Sequence, residues 1–236
     1  MKIVLLRHGK TIGNEKKRYI GRTDEPLSDK GKLELSDTQK KILGILKTKL
    51  NVDSLPQKGK QPGKNPTIYM VCSPMLRCRE TEKRVFSGLI SQETQKDFIQ
   101  DDAKSLNIFW NIEEDLRECD FGIFENKNYL ELSMEPRYQQ WIDSNGTTDF
   151  PEGESLEAFK KRSVAAFRKH IKNAEDKNAD LTVFTIHGGS IMAIMEALDS
   201  QKLGYYQYSV KNGEFVFGEL REDGCIYTFS VPVQSY

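Results

Sequence analysis

Three short runs along the chain are apolar at nearly every position: Ile3-Val4-Leu5-Leu6, the TIYMVC stretch at 67–72 and the LTVFTI stretch at 181–186. Unbroken apolar runs of this length fit strands covered on both faces, as in a parallel sheet. A further strand-like stretch, NIFWNIEEDL, spans 107–116. Between the runs the period changes. Leu33, Ile42, Leu43, Ile45, Leu46 and Leu50 recur at helical spacing and predict a helix over 32–50. A charged helix is expected from Leu76, another from the N-cap candidate Ser155 to about Lys172, and a last one after His187-Gly188-Gly189. The segment 21–31, GRTDEPLSDKG, is punctuated by Gly, Pro and Asp and reads as loop. Strands alternating with helices predict an α/β fold, a three-layer α/β/α sandwich around a doubly wound, mostly parallel sheet.

The pattern accommodates one domain over 1–236 with two insertions. Residues 51–66 are rich in Pro, Gly and Lys and read as a mobile, solvated loop. Residues 126–150 form a helical, cap-like insertion in which Tyr129, Met134, Tyr138 and Trp141 are available either to the core or to a flat ligand.

Charge narrows the possible partners. Lys plus Arg and Asp plus Glu number 35 each in 236 residues, so no net field draws the chain to nucleic acid or to a membrane surface. With no signal-type apolar region and no run near the ~20 residues of a spanning helix, a cytoplasmic location is expected. Cys72, Cys78, Cys119 and Cys225 lack CxxC spacing, so reduced structural thiols are expected, and no metal site.

Three predicted strand ends carry the polar chemistry: Arg7-His8-Gly9, Ser73 with Arg77, and His187-Gly188-Gly189. In open α/β sheets ligands bind beyond the carboxyl ends of the strands. Two arginines, two histidines and glycines that admit close backbone approach suit a phosphate dianion. A single histidine at a strand end is most often structural, but three strand ends with one theme point to a shared pocket.

Six blocks extend the theme in order: LLRHGKTIGN (5–14), GRTDEPLSDKG (21–31), CSPMLRCRETE (72–82), LRECDFGIFENK (116–127), FPEGES (150–155) and FTIHGGSIMAI (184–194). Together they resemble the histidine phosphatase, or phosphoglycerate mutase-like, superfamily. The resemblance implies a phosphohistidine enzyme acting on a small-molecule phosphate monoester, without metal or other cofactor. His8 would be the nucleophile and Glu118 the general acid and base. Arg7, Arg77 and His187 would bind the phosphate, with Asn14, Thr23 and Gly188 as further phosphate or substrate contacts. Counted from Cys72, the thiol-phosphatase spacing of Cys and Arg six apart is not met, because position 78 is Cys with Arg77 and Arg79 on either side, and no Walker A motif is present.

Within the superfamily, mutases resembling phosphoglycerate mutase have Arg directly after the acid, where this chain has Cys119 and then Asp120. A phosphatase is therefore expected. The 129–155 stretch resembles the branch that hydrolyses α-ribazole 5′-phosphate in cobalamin biosynthesis. The connections at 51–66 and 87–112 are longer than that branch implies. A mutase-type phosphotransferase and a non-catalytic phosphate-binding scaffold are the alternatives.

Overall fold

Strand β1 (Lys2–Arg7) sends alternate side chains to opposite faces of the sheet, and both faces are buried. Ile3 and Leu5 join one apolar cluster, whereas Val4 and Leu6 join the other. This is why β1 reads as an unbroken apolar run rather than an alternating one. The computed structural model describes residues 1–50, 65–87, 89, 98–101 and 106–230.

Following β1 come a single helical turn α1 (Ile12–Glu15), the long helix α2 (Asp29–Leu50), β2 (Thr67–Cys72) and α3 (Leu76–Val85). Then β3 (Phe98–Asp101) and β4 (Leu106–Ile112) lead through short 3-10 turns at Glu114–Leu116 and Gly122–Phe124 to α4 (Pro136–Asp143). Helix α5 (Leu156–Asp176), β5 (Leu181–Ile186), α6 (Gly188–Leu198), β6 (Phe215–Leu220) and β7 (Ile226–Ser230) complete the order.

The sheet order is β3-β4-β2-β5-β1-β6-β7. Its centre, β4-β2-β5-β1, is parallel, and β3, β6 and β7 are antiparallel additions at the edges. The α/β/α sandwich expected from the sequence is therefore present, with a parallel centre and antiparallel margins. Helices α5 and α6 cover one face through Phe167, Ile171, Ile191 and Ile194. Helices α2 and α3 cover the other through Leu35, Ile42, Leu46 and Val85.

The 32–50 helix begins three residues earlier than predicted, at Asp29. Ser155 caps α5 as expected, its hydroxyl accepting the Ala158 N–H at 3.1 Å. The aromatic stretch divides: Tyr138 is buried with Leu132, Phe124 and Phe150, and Trp141 packs against them, while Tyr129 and Met134 are exposed. The Lys-rich loop lies outside the described residues save for 65 and 66, as does much of the 87–112 connection. Among the described residues no helix is long and apolar enough to cross a membrane.

Register sets up the site. Arg7 of β1 pairs with Ile186 of β5, and Cys72 of β2 with Thr185, so the carboxyl ends of the three central strands finish level. His8, Ser73 and His187 follow directly at that edge.

Candidate active site

The His8 main chain continues the β1 ladder, its N–H donating to the Ile186 carbonyl at 3.0 Å. Its ring is almost fully buried, and Nδ1 lies 2.7 Å from the Gly9 carbonyl. A carbonyl can only accept, so Nδ1 carries the proton and Nε2 keeps the lone pair. Burial, then the charges of Arg77 and Arg7, hold the imidazole well below its ordinary pKa, with the Gly9 bond opposing them. His8 is thereby a neutral imidazole with a fixed tautomer and its lone pair on Nε2.

His187 stands at the end of β5 and is the N-cap residue of α6. Its ring centroid is 5.2 Å from that of His8, at 65°. Nε2 is hydrogen-bonded to the Ser73 hydroxyl at 2.8 Å, and Cys78 Sγ lies 3.5 Å away. Burial, followed by Arg77, His8 and Arg7, lowers its pKa well below the usual value.

Arg77 is fully buried, and its hydrogen bonds run to carbonyls: Nη1 to Thr23 at 2.8 Å, Nη2 to Gly21 at 2.9 Å and to Ile20 at 3.3 Å. Nε has no partner among the described residues. Carbonyls fix a guanidinium without cancelling its charge, which leaves it suited to a bound anion. Arg7 donates from Nη1 to the Val210 carbonyl at 2.6 Å, and its buried Nε is likewise unpartnered among the described residues. A Cβ on Gly188 would stand 3.0 Å from Arg7 Cζ, so a residue without a side chain lets this guanidinium lie against the start of α6.

Glu118 completes the group. Its Oε1 accepts the Cys119 N–H at 3.0 Å and its Oε2 the Gly189 N–H at 3.3 Å, in the first turn of α6. Burial raises its pKa, against the opposing pull of the Cys119 N–H, Arg77 and Arg7. The carboxyl is thus drawn toward the range in which it can both give and take a proton.

The structure brings Arg7, His8, Arg77, Glu118, His187 and Gly188 together. It gives the other two candidates local tasks. Thr23 makes its contacts through its backbone, donating to Glu125 Oε1 and accepting from Arg77. Asn14 Oδ1 accepts the Thr11 N–H in the α1 capping box and the Asn212 amide at 3.1 Å, while Asn212 also donates to the His8 carbonyl. Among the described residues no group of three or more His, Cys, Asp or Glu is arranged to hold a metal ion.

Two residues not singled out from the sequence support the site. Arg162 donates to the carbonyls of Asp115, Arg117 and Glu118 at 2.7, 2.8 and 3.1 Å, and its fork is held by Glu154 at 2.6 and 2.7 Å. Glu125 Oε1 accepts the N–H groups of Gly21 and Thr23, both at 2.9 Å, and so shapes the loop that grips Arg77. Position was the one signal for Glu125 and for Glu154, the partner of Arg162, which fall inside recognised blocks whose other members carry the chemistry, whereas Arg162 lies in none of the blocks. A Cβ on Gly21 would lie 1.9 Å from the Cys119 carbonyl, so this loop and the Glu118 segment pack backbone to backbone.

Comparison with known proteins gives a consistent family. The 2,3-bisphosphoglycerate-dependent phosphoglycerate mutase 2 of Arabidopsis thaliana is 28% identical over 201 residues, covering 84% of this chain and 58% of the relative. The chain spans about three-fifths of the length of the curated relatives it matches. The alpha-ribazole phosphatase of Shigella flexneri superposes with a TM-score of 0.65 at 17% identity, over 98% of this chain and 96% of that one. A phosphoglycerate mutase of Thermus thermophilus gives 0.55 at 22% identity, over 98% and 99%. At such identities these structures speak to the fold alone. The family model for the histidine phosphatase superfamily (branch 1) matches residues 3–47 and 59–229, and the chain belongs to that superfamily.

Proposed function

We propose that this chain is a phosphomonoesterase that moves a phosphoryl group from a small-molecule ester to His8 and then to water. The observation that carries the reading is the His8 ring, kept neutral with Nδ1 bound to the Gly9 carbonyl and Nε2 as its lone-pair nitrogen. In the first half-reaction Nε2 attacks phosphorus, the P–O bond to the alcohol breaks, and the departing oxygen takes the proton of Glu118. In the second, water attacks the phosphohistidine, Glu118 accepts its proton, and inorganic phosphate leaves with His8 neutral again. Arg7, Arg77 and His187 meet the charge on the equatorial oxygens, the principal demand in phosphoryl transfer.

Water as final acceptor is favoured over a second substrate alcohol by Cys119 and Asp120. Mutase-type binding of a substrate carboxylate calls for an arginine after the acid, and Asp120 instead adds negative charge there. The mutase relatives keep phosphoryl return to a bound alcohol as the second reading. Among substrates, α-ribazole 5′-phosphate is our specific candidate, and a cytoplasmic setting belongs to the same proposal.

Phosphate release from p-nitrophenyl phosphate, α-ribazole 5′-phosphate and 3-phosphoglycerate tests the reading, alongside His8→Ala. Turnover of the first two that disappears in the variant, with its thermal melt retained, is expected. Near wild-type release by His8→Ala overturns the mechanism, and isomerisation of 3-phosphoglycerate outrunning hydrolysis selects the mutase.

A further inference from the structure

A cleft of about 510 Å³ meets the site at Glu118, which forms part of its wall. Seven carboxylates line it against three guanidiniums. Each guanidinium is already engaged: Arg22 with Asp120 at 3.4 Å, Arg117 with Glu114 at 3.2 Å and Arg162 with Glu154 at 2.6 Å. Glu152 is matched from outside the cleft by Arg137 at 2.9 Å. Asp24 and Asp115 have no cation at ion-pair distance among the described residues, and Asp24 is occupied only by the Leu76 N–H at 2.6 Å. The cations that an anionic phosphate needs lie elsewhere, on Arg7 and on the fully buried Arg77 with its unpartnered Nε. Charge is thus divided on either side of Glu118, positive at Arg7 and Arg77 and predominantly negative in the cleft, which is where a leaving alcohol protonated by Glu118 would lie.

We propose that this cleft selects phosphate esters of uncharged or cationic alcohols and rejects those whose alcohol bears a carboxylate or a second phosphate. The proposal rests on the phosphatase reading and names the substrate class of that site. An anionic leaving group would enter a cleft whose guanidiniums are already paired and would face Asp24 and Asp115 directly. A cationic or neutral hydroxyl-bearing group meets attraction or hydrogen-bond acceptors instead. Such discrimination by like charge acts mainly on kcat/KM and weakens with salt.

The test compares phosphate release from phosphoethanolamine, glycerol 1-phosphate and 3-phosphoglycerate, with p-nitrophenyl phosphate as the general reporter, at low and high ionic strength. A double variant, Asp115→Asn with Glu152→Gln, removes two exposed charges from the rim. The wild type is expected to hydrolyse 3-phosphoglycerate roughly tenfold or more below glycerol 1-phosphate in kcat/KM at low salt, with phosphoethanolamine at or above the latter. Both high salt and the double variant should narrow that gap by several-fold. Equal or preferred use of 3-phosphoglycerate overturns the proposal while leaving the phosphatase reading intact, as does a gap that neither salt nor the variant moves. Should the variant fail to fold, the salt series on the wild type still decides. No phosphate from any ester, p-nitrophenyl phosphate included, overturns the phosphatase reading and this proposal with it.

Discussion

Arg162 holds the main chain of Glu118, donating from Nη2 to its carbonyl at 3.1 Å while the same guanidinium is forked against Glu154. The acid is therefore positioned from behind by a residue that need not touch substrate. Arg162→Lys keeps the charge but cannot span three carbonyls and a carboxylate. Displacing a catalytic group by about 1 Å can cost ~10²-fold. The expected outcome is a fall of roughly ten- to a hundredfold in the single-turnover rate with an alkyl phosphate, with a much smaller fall for p-nitrophenyl phosphate. Equal falls with both esters would show that Arg162 shapes the whole pocket rather than the acid.

Glu118→Gln should separate substrates by leaving group. General acid catalysis supplies about 10²–10⁴ in rate, and an alkoxide needs the proton far more than a nitrophenolate does. Single-turnover phosphorylation by a sugar or nucleoside phosphate should fall by that range, and by the activated ester far less. The wild-type rate with an alkyl ester should decline as pH rises through the raised pKa of Glu118, a limb that the variant lacks. Below pH 6.5, the ordinary imidazole value, His8 should remain competent because burial and its neighbouring arginines keep it neutral there. Single-turnover pH profiles for both esters check both statements.

Glu82 gives a stability prediction. It lies buried behind the site against the Trp110 indole, and burial pushes its carboxyl from 4.5 up to about 7. A carboxyl whose folded pKa exceeds its unfolded one binds more protons in the folded state, so its contribution is complete below pH 4.5 and is lost as pH rises toward 7. The loss amounts to about 3 kcal/mol at most. Glu82→Gln removes this titration. Its Tm should match the wild type near pH 4.5 within a few degrees and exceed it at pH 8, as read by calorimetry across the range. A wild type that gains on Gln at alkaline pH would mean that Glu82 is ionised and paired in the fold.

Activity should withstand EDTA, because Arg7 and Arg77 stand where a cation would otherwise meet the phosphate. Vanadate, a mimic of the trigonal-bipyramidal phosphoryl group, should inhibit. Loss of turnover in EDTA with recovery in Mg²⁺ or Zn²⁺ would reverse this expectation.

Legibility from the sequence followed burial and proximity along the chain. Strands β1, β2 and β5 were readable because burial on both faces writes itself as an apolar run, and α5 because Ser155 caps it locally. The antiparallel strands β6 and β7 were not, because a partly covered strand such as β6, with Gly218 and Glu219 in it, lacks that run. His8, Arg77 and His187 were visible as polar residues at strand ends. Arg162 and Glu125 were not, since their task is to bind main-chain groups 44 or more residues away, and a backbone carbonyl has no sequence. Thr23 is a different case: its block was recognised, and the contacts the structure shows for it are made by its main chain, which the sequence does not reveal.

The adjacency of β1 and β5 has a consequence for what the site can become. Paired strands stand roughly 4.8 Å apart whatever their side chains, and the two site histidines emerge from neighbouring strands finishing level, with ring centroids 5.2 Å apart. The separation of the two rings therefore follows the backbone hydrogen-bond ladder that spaces their strands, rather than any contact between the side chains themselves. Substitutions in the loops around the two rings can change what lies beside them, while the spacing inherited from the sheet stays the same.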